Sequence, residues 1–397
     1  MHAGFGLSDI TPPLGVELAG YGYYLERRAE GVLDPLYVRA IALETDTARC
    51  MIICCDLLGL STAVADAVRC GLARFGYKPN QVMLVSIHTH TGPAVQHHEG
   101  CGEVSEEYVA SLPARILCAC ELAVSDLASV AKLERREGFL PREFAYNRAD
   151  AEESVENIVR GILIERRDRP PVALVSYACH PVTRRRIPAV SADFPGRLTA
   201  LLDQDGYRAV YLNGLCGDID PVRSADRDEL LESFAQGIRE AFVHPIRREE
   251  LPLDTLSAAR MEFDLRLITL TESEIAAKAQ GAANARVASK WVELMTANPP
   301  VDSEAAPVNF INLGGVPIVG LPFEGFERIG RIVRERVPSA WTLGCSGQML
   351  GYLPTKSHYE RESYAVWESS FLYKRMPAQP GEAERLGGWI ADRLDSM

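Results

Sequence analysis

The segment Val82-Met83-Leu84-Val85-Ser86-Ile87-His88-Thr89-His90-Thr91-Gly92-Pro93 joins an apolar run to two histidines and a Gly-Pro pair. The run predicts a buried strand that the Gly-Pro pair ends. Since side chains two residues apart share one face of a strand, His88 and His90 are expected to project together into a cleft. Neutral imidazole is the commonest metal ligand and a frequent acid or base near pH 7. An isolated His-x-His is more often a hydrogen-bonded loop pair, so a functional interpretation depends on partners elsewhere in the chain.

The composition is that of a large folded protein without a nucleic-acid partner. The chain has 397 residues, of which 47% are hydrophobic and 24% charged, so it has enough apolar residues for a large core. Its formal net charge of −12 disfavours binding to phosphate backbones. We therefore expect a small-molecule substrate as the partner, with self-association into a homo-oligomer as a further possibility.

Several features favour a cytoplasmic location. No apolar run approaches the roughly 20 residues that span a bilayer, so no stable membrane association is expected. The opening Met1-His2-Ala3-Gly4-Phe5 lacks the pattern of a secretory signal. The ten cysteines lie mostly in apolar runs rather than at the spacings of a disulfide framework.

Strand and helix patterns alternate along the chain and predict an α/β fold with mixed sheets flanked by helices. Residues 158–166 and 172–179 are expected to form a hairpin. Residues 299–307 are the best linker candidate, but they give no clean boundary, so 1–397 is interpreted as one domain. The other predicted strands are 38–43, 50–55, 81–87, 209–212, 260–267 and 308–321, and the predicted helices are 63–75, 110–125, 194–203, 227–243, 272–296 and 326–336.

Three further strand exits carry polar residues. His180 follows a predicted strand and precedes Pro181, and Glu324 lies in Leu-Pro-Phe-Glu-Gly after another strand. The glycine-rich segment 213–221, Asn-Gly-Leu-Cys-Gly-Asp-Ile-Asp-Pro, follows a third. Ligands bind beyond the carboxyl ends of sheet strands, and imidazole with carboxylate is a frequent zinc set. Each residue alone has a simpler structural explanation, and their convergence is what favours a site.

These motifs together resemble the neutral/alkaline ceramidase family. The resemblance extends from Ala3 to Phe371 in order and spacing, and the segments that carry it are Ser8-Asp9-Ile10-Thr11-Pro12, the 88–93 motif, Asn147-Arg148, His180, Gly217-Asp218-Ile219-Asp220-Pro221, Leu321-Pro322-Phe323-Glu324-Gly325, Tyr352-Leu353-Pro354-Thr355 and Tyr364. The resemblance implies a zinc amidase that cleaves the N-acyl bond of ceramide.

The resemblance also implies roles for individual residues. The zinc ligands fall on His88, His180, Glu324 and Tyr352, with His90 beside the metal as the proton carrier. Arg148 and Tyr364 correspond to substrate-contacting residues, and Tyr364 is expected to donate to the oxyanion.

Two departures from the family pattern change the expected substrate. A serine that has been regarded as catalytic in the family is replaced by Asp220, which is therefore expected to help in catalysis or substrate binding. We also expect the family's C-terminal immunoglobulin-like domain and secretory signal to be missing from this protein. We therefore expect a zinc-activated water to cleave an amide bond in a small or medium N-acyl substrate that is more polar than ceramide.

Other interpretations remain open from sequence. The same chemistry suits an esterase or lactonase, and the altered serine position suits a zinc-dependent lyase or cyclase of a biosynthetic pathway. A non-catalytic metal-binding protein ranks last. Among the remaining candidates, orienting roles are expected for Asp56, Asp193 and Asp218, a loop position for His97 and His98, and a place at the entrance for Arg184, Arg185 and Arg186, where a solvated loop is the simpler explanation.

Overall fold

The computed structural model describes residues 1–361 and 363–395, and it has the predicted α/β fold with mixed sheets flanked by helices. The helices are α1 (Thr62–Leu72), α2 (Glu106–Ser125), α3 (Asp193–Gln204), α4 (Arg227–Val243), α5 (Glu272–Ala279), α6 (Ala285–Ala297), α7 (Glu327–Arg336), α8 (Ser357–Glu360), α9 (Trp367–Tyr373) and α10 (Glu382–Leu394), with 3₁₀ turns at Ala73–Phe75 and Pro79–Gln81. The strands are β1 (His2–Asp9), β2 (Gly31–Val32), β3 (Tyr37–Glu44), β4 (Arg49–Cys55), β5 (Val82–Ser86), β6 (Ala128–Phe139), β7 (Ala145–Asn147), β8 (Ile158–Arg166), β9 (Arg169–Tyr177), β10 (Ala189–Val190), β11 (Arg208–Asn213), β12 (Ile219–Pro221), β13 (Arg247–Glu250), β14 (Leu256–Arg266), β15 (Ser303–Leu313), β16 (Val316–Gly320), β17 (Glu324–Gly325), β18 (Trp341–Leu343) and β19 (Tyr352–Leu353).

Two sheets organise the fold. The larger has the strand order β11-β9-β8-β6-β1-β3-β4-β5, with β13 paired to β6, and the smaller has the order β14-β15-β16-β18. Strand pairing is parallel at the two edges of the large sheet, where β9 meets β11 and where β4 meets β5. The larger apolar cluster joins residues of the large sheet to residues of the smaller one, such as Ile318 and Trp341, and a second cluster packs around other smaller-sheet residues, such as Phe263 and Phe310.

The two edges of the large sheet meet where the site lies. Asn213, the last residue of β11, donates from Nδ2 to the carbonyl oxygen of Ile87 just beyond β5, at 2.9 Å. The smaller sheet joins the same place, because the Ser86 amide donates to the Cys345 carbonyl at 3.1 Å. Strand exits from both sheets therefore converge.

Helix α2 packs on β1 more closely than any side chain on that strand would allow. A Cβ placed at Gly6 would lie 1.9 Å from the Ala119 carbonyl oxygen, and one at Gly4 would lie 2.0 Å from that of Ala123. The glycines of β1 are thus required by the approach of the α2 backbone.

The structure corrects several predicted boundaries. Residues 272–296 form two helices, α5 and α6, because Gly281 interrupts the pattern and Asn284 caps α6 with its side chain. The predicted linker 299–307 is wrong, since β15 begins at Ser303 and pairs with β14 along its whole length. The predicted strand 308–321 is β15 and β16, joined by Gly314 and Gly315, which both have positive φ. The predicted hairpin is confirmed as β8 and β9, and the interpretation of 1–397 as one domain stays a prediction.

Helix α2 is the one helix among the described residues whose length and composition suit a membrane span. An 18-residue window of this 20-residue helix has a mean hydropathy of 1.3, so the helix is long and apolar enough to cross a membrane by length and composition alone. A core helix passes the same test, and the buried positions of α2, among them Leu112, Ile116 and Ala119, recur at helical spacing.

The close approach of α2 and β1 predicts a strong effect of one methyl group. We expect Gly6→Ala to lower the free energy of unfolding by about 3 kcal/mol, because the added Cβ forces the strand and the helix backbone apart. Gly388→Ala in α10, where a Cβ meets nothing within 4 Å, is the control and should raise it by about 0.5 kcal/mol. Urea denaturation checks both; equal effects of the two substitutions would contradict the packing argument.

Candidate active site

Three residues at strand exits form the centre of the site. His88 follows β5, His180 follows β9, and Glu324 begins β17. One carboxylate oxygen of Glu324, Oε2, lies 3.0 Å from Nε2 of His88 and 3.2 Å from Nε2 of His180. All three side chains are buried. The predicted convergence of these exits is therefore present in the structure.

The hydrogen bonds of the Nδ1 atoms determine the tautomer of both imidazoles. Nδ1 of His88 lies 2.8 Å from the Leu58 carbonyl oxygen, and Nδ1 of His180 lies 3.2 Å from that of Ile219. Because a carbonyl only accepts, Nδ1 carries the proton in each neutral ring and the Nε2 lone pair faces Glu324. Two lone pairs and a carboxylate converge at one buried point, and this donor set fits zinc.

His90 completes a group of three histidines. The candidate ligand atoms of His88, His90 and His180 all lie within 4.8 Å of one another. Both ring nitrogens of His90 are buried without a hydrogen-bond partner among the described residues. Burial lowers the pKa of His90 well below its usual range, and His88 and His180 act in the same direction. A buried ring with two unpartnered nitrogens indicates that it meets a ligand, water or metal there.

The turn after β5 is held by its threonines. Thr89 and Thr91 each donate a hydroxyl to the Ser191 carbonyl oxygen, at 2.8 and 2.9 Å. His88 itself has φ of 72°, in the left-handed region that a β-carbon disfavours. These contacts hold the strained turn that directs the two histidines to the same centre.

Glu324 is held by contacts outside the histidines. The Tyr373 hydroxyl donates to its Oε1, so both carboxylate oxygens are engaged. Gly217 packs against the Glu324 backbone, where a Cβ would lie 2.4 Å from the carbonyl oxygen. The glycine-rich segment therefore permits contact between two strand exits.

Arg148 links the remaining predicted site residues. Its Nη2 donates to the Tyr352 hydroxyl at 2.8 Å and to the Gly217 carbonyl oxygen at 2.9 Å. Its Nη1 lies 3.2 Å from Oδ1 of Asp220, which in turn is 3.8 Å from Nδ1 of His180. Asp220 is therefore a partner of Arg148 rather than a free carboxylate.

Tyr352 lies next to Glu324, because β17 pairs with β19 in a register that sets these two residues opposite each other. Burial raises the pKa of the Tyr352 phenol, and so does the Glu324 carboxylate. Tyr364 lies farther out, with 47% of its surface exposed and its ring centroid 5.8 Å from that of Tyr352. It is thus at the rim of the site.

The three other strand-exit carboxylates serve the scaffold. Asp56 accepts from Arg39 at 2.7 Å, and Asp193 accepts from the Thr183 hydroxyl at 2.6 Å. Asp218 accepts from the Glu327 amide at 2.9 Å, which anchors the start of α7, and burial raises its pKa to about 7.

The two loop histidines, His97 and His98, lie in different surroundings. His97 is exposed and lies 3.2 Å from a Glu106 carboxylate oxygen. His98 instead packs its ring on Tyr373, with centroids 4.2 Å apart. Neither belongs to the group of three histidines.

Two tyrosines of the site escape prediction from sequence. Tyr373 ends α9, far along the chain from the motifs, and no local pattern marks it. Tyr21 contacts His90 edge to face, with ring centroids 5.1 Å apart. Its only signal is the flanking Gly20 and Gly22; a Cβ at Gly20 would lie 2.4 Å from the His90 ring.

Comparisons with known proteins agree with this geometry. Residues 1–108 match the sequence profile of the family described as neutral/alkaline non-lysosomal ceramidase, N-terminal. The neutral ceramidase from Pseudomonas aeruginosa aligns with a TM-score of 0.78 and 16% identity, over 100% of this chain and 75% of that chain. A ceramidase complexed with C2 gives the same score and identity over 99% of this chain and 74% of that chain. No curated protein sequence matches significantly. The resemblance is confirmed in sequence for residues 1–108 and in fold for the whole chain.

The geometry predicts which histidines hold the metal. We expect the purified chain to carry one zinc ion, and His88→Ala or His180→Ala to reduce its zinc content to less than about a tenth, because each removes a ligand. His97→Ala is the exposed control and should keep the zinc. His90→Ala should keep the zinc as well. Inductively coupled plasma mass spectrometry measures the zinc content of each variant. Loss of zinc from His90→Ala would make His90 a ligand instead.

The Tyr373 contact predicts a role in orienting the carboxylate. Tyr373→Phe should weaken zinc binding about 10- to 100-fold, because Oε1 of Glu324 loses its donor. Titration against a zinc chelator measures this. Tyr207→Phe, at a ring that packs on Phe242 with centroids 5.8 Å apart, is the matched control. Equal zinc affinity of both variants and the unmodified chain would refute the role.

Proposed function

We propose that this chain is a zinc-dependent amidohydrolase that cleaves a carbon–nitrogen amide bond in a small or medium N-acyl substrate. The observation that carries the proposal is the buried carboxylate of Glu324 between the Nε2 atoms of His88 and His180. The ceramidase-like fold and the family match of residues 1–108 support the same reaction class. In this proposal the partner is a small molecule, with neither nucleic acid nor stable membrane binding.

In this proposal His88, His180, Glu324 and Tyr352 hold the metal. A bound zinc ion supplies a Lewis acid that polarises a carbonyl oxygen and lowers the pKa of water. His90 takes the proton of the attacking water and passes it to the leaving nitrogen, because its two ring nitrogens face the site without protein partners.

Arg148 and Tyr364 act on the substrate. Arg148 is fixed by the Gly217 carbonyl, by Asp220 and by Tyr352, so its guanidinium is preorganised beside the metal ligands. Tyr364 at the rim donates its hydroxyl to the oxygen on which negative charge develops. Such a donor is worth about 3 kcal/mol when preorganised.

Asp220 takes a positioning role at the place of the family's serine. Its carboxylate orients Arg148 across a 3.2 Å contact and lies close to His180. Because Arg148 engages its carboxylate, we assign Asp220 to positioning rather than to nucleophilic attack. The reaction therefore relies on water rather than on a covalent acyl intermediate.

The reaction class is tested by product analysis. The zinc-loaded chain should hydrolyse members of a panel of N-acyl amines and N-acyl amino acids, and mass spectrometry should show the addition of one water per cleavage. His90→Gln should lower kcat by about 100-fold or more while zinc is retained, because the proton carrier is lost. His97→Gln is the control and should keep full turnover.

The alternatives give different products. Turnover of simple lactones or esters alone would identify an esterase or lactonase. A product without added water would identify a lyase or cyclase. A zinc-loaded chain that turns over no member of either panel would refute the proposed amidohydrolase.

A further inference from the structure

An open cleft of about 620 Å³ lies directly beside the histidine cluster. Tyr21 lines it and contacts His90 with its ring edge. Asp220 lines it as well and lies 3.8 Å from Nδ1 of His180. The cleft is therefore continuous with the proposed reaction centre, and its volume suits part of a small substrate.

The wall of this cleft is strongly cationic. Arg185, Arg186, Arg223 and Arg227 line it, and we call it the arginine cleft. Asp220 is the single carboxylate among the described lining residues, and Arg148 already engages it at 3.2 Å. This local charge is opposite in sign to the net charge of −12 of the chain.

Three of these arginines have no carboxylate partner in residues 1–361 and 363–395. Arg185, Arg186 and Arg223 are exposed and form no ion pair there, and the Arg186 guanidinium lies over the Tyr21 ring at 5.4 Å instead. Within the same described residues, Arg227 at the start of α4 donates only to a backbone carbonyl oxygen, that of Arg184, at 3.4 Å.

A second groove next to the arginine cleft serves for comparison, because arginines in it form ion pairs with carboxylates. It shares Ile187 and Arg227 with the arginine cleft, yet its other arginines are matched by carboxylates. Arg184 pairs with Asp228, and Arg197 forms two contacts with Glu232 at 2.5 and 2.8 Å. Arg184 and Arg197 are therefore neutralised in the groove, whereas Arg185, Arg186 and Arg223 of the cleft have no carboxylate partner among the described residues.

Unpaired guanidinium groups that share a cleft repel one another, and an anion in the cleft relieves this repulsion. The forked donors of arginine match the oxygens of a carboxylate or a phosphate. Because Arg186 lies over Tyr21 and Tyr21 contacts His90, an anion bound there lies close to the reacting amide.

We propose that the substrate is a small amide bearing an anionic oxygen group, a carboxylate or a phosphate, which the arginine cleft binds. The proposed reaction of this substrate rests on the amide hydrolysis proposed above. The proposed negative charge of the substrate rests on the arginine cleft. It excludes a neutral lipid amide as the preferred substrate.

Ketone analogues, in which a methylene replaces the amide nitrogen, test binding without turnover. The zinc-loaded chain is titrated calorimetrically with 4-oxononanoic acid, 4-oxononyl phosphate and the neutral 4-oxononanamide. At least one anion should bind about 10-fold or more tightly than the amide, and the tighter anion identifies carboxylate or phosphate. In about 0.5 M NaCl the preference should shrink, because salt screens exposed charges.

The double variant Arg186→Gln/Arg223→Gln should lose this preference and bind the neutral amide unchanged. The matched control is Arg208→Gln, an exposed arginine at the start of β11, at the opposite end of that strand from Asn213. It should keep the preference. Equal binding of the three ligands, no binding of any, or a preference that survives in the double variant would overturn the proposal.

Turnover of N-hexanoylglycine and its neutral glycinamide separates the two proposals. Hydrolysis of both at equal kcat/KM, with equal binding of the analogues, would leave the amidohydrolase in place and refute the role of the cleft. Anion-selective binding without turnover of any amide would refute the amidohydrolase and leave the anion site in place.

Discussion

One oxygen of the Glu324 carboxylate faces the Nε2 lone pairs of His88 and His180, at 3.0 and 3.2 Å, in a buried position. Backbone carbonyls fix the opposite nitrogen of each ring, so neither imidazole is able to turn its proton toward the carboxylate without losing a hydrogen bond. A cation between these electron pairs would offset the cost of burying them, and we propose that it is zinc. This electrostatic constraint determines the proposed metal and, through it, the proposed chemistry.

The fold satisfies this constraint by bringing strand exits from two sheets to one point. Asn213 ties the exits of β11 and β5 together, while the Ser86 contact with Cys345 joins the smaller sheet. Gly217 then allows the Glu324 backbone to approach without a side chain between them. Each element contributes one or two polar groups, and no single element carries the site.

Much of this site is predictable from sequence because apolar runs ending in Pro or Gly mark strand exits, as at His88, His180 and Glu324. The α/β class and the hairpin β8–β9 follow from the same patterns. Tyr373 and Tyr21 are not predictable, since their role depends on tertiary contacts with Glu324 and His90. The predicted linker at 299–307 failed because Pro307 and the polar residues Ser303 and Glu304 are tolerated in β15, where pairing with β14 overrides local preference.

Anomalous X-ray scattering at the zinc edge, from crystals of the zinc-loaded chain, tests the central claim most directly. The account predicts one peak at about 2.0 to 2.2 Å from Nε2 of His88, from Nε2 of His180 and from a carboxylate oxygen of Glu324. A zinc peak elsewhere in the molecule, or no peak with these three side chains still in contact with one another, would contradict it.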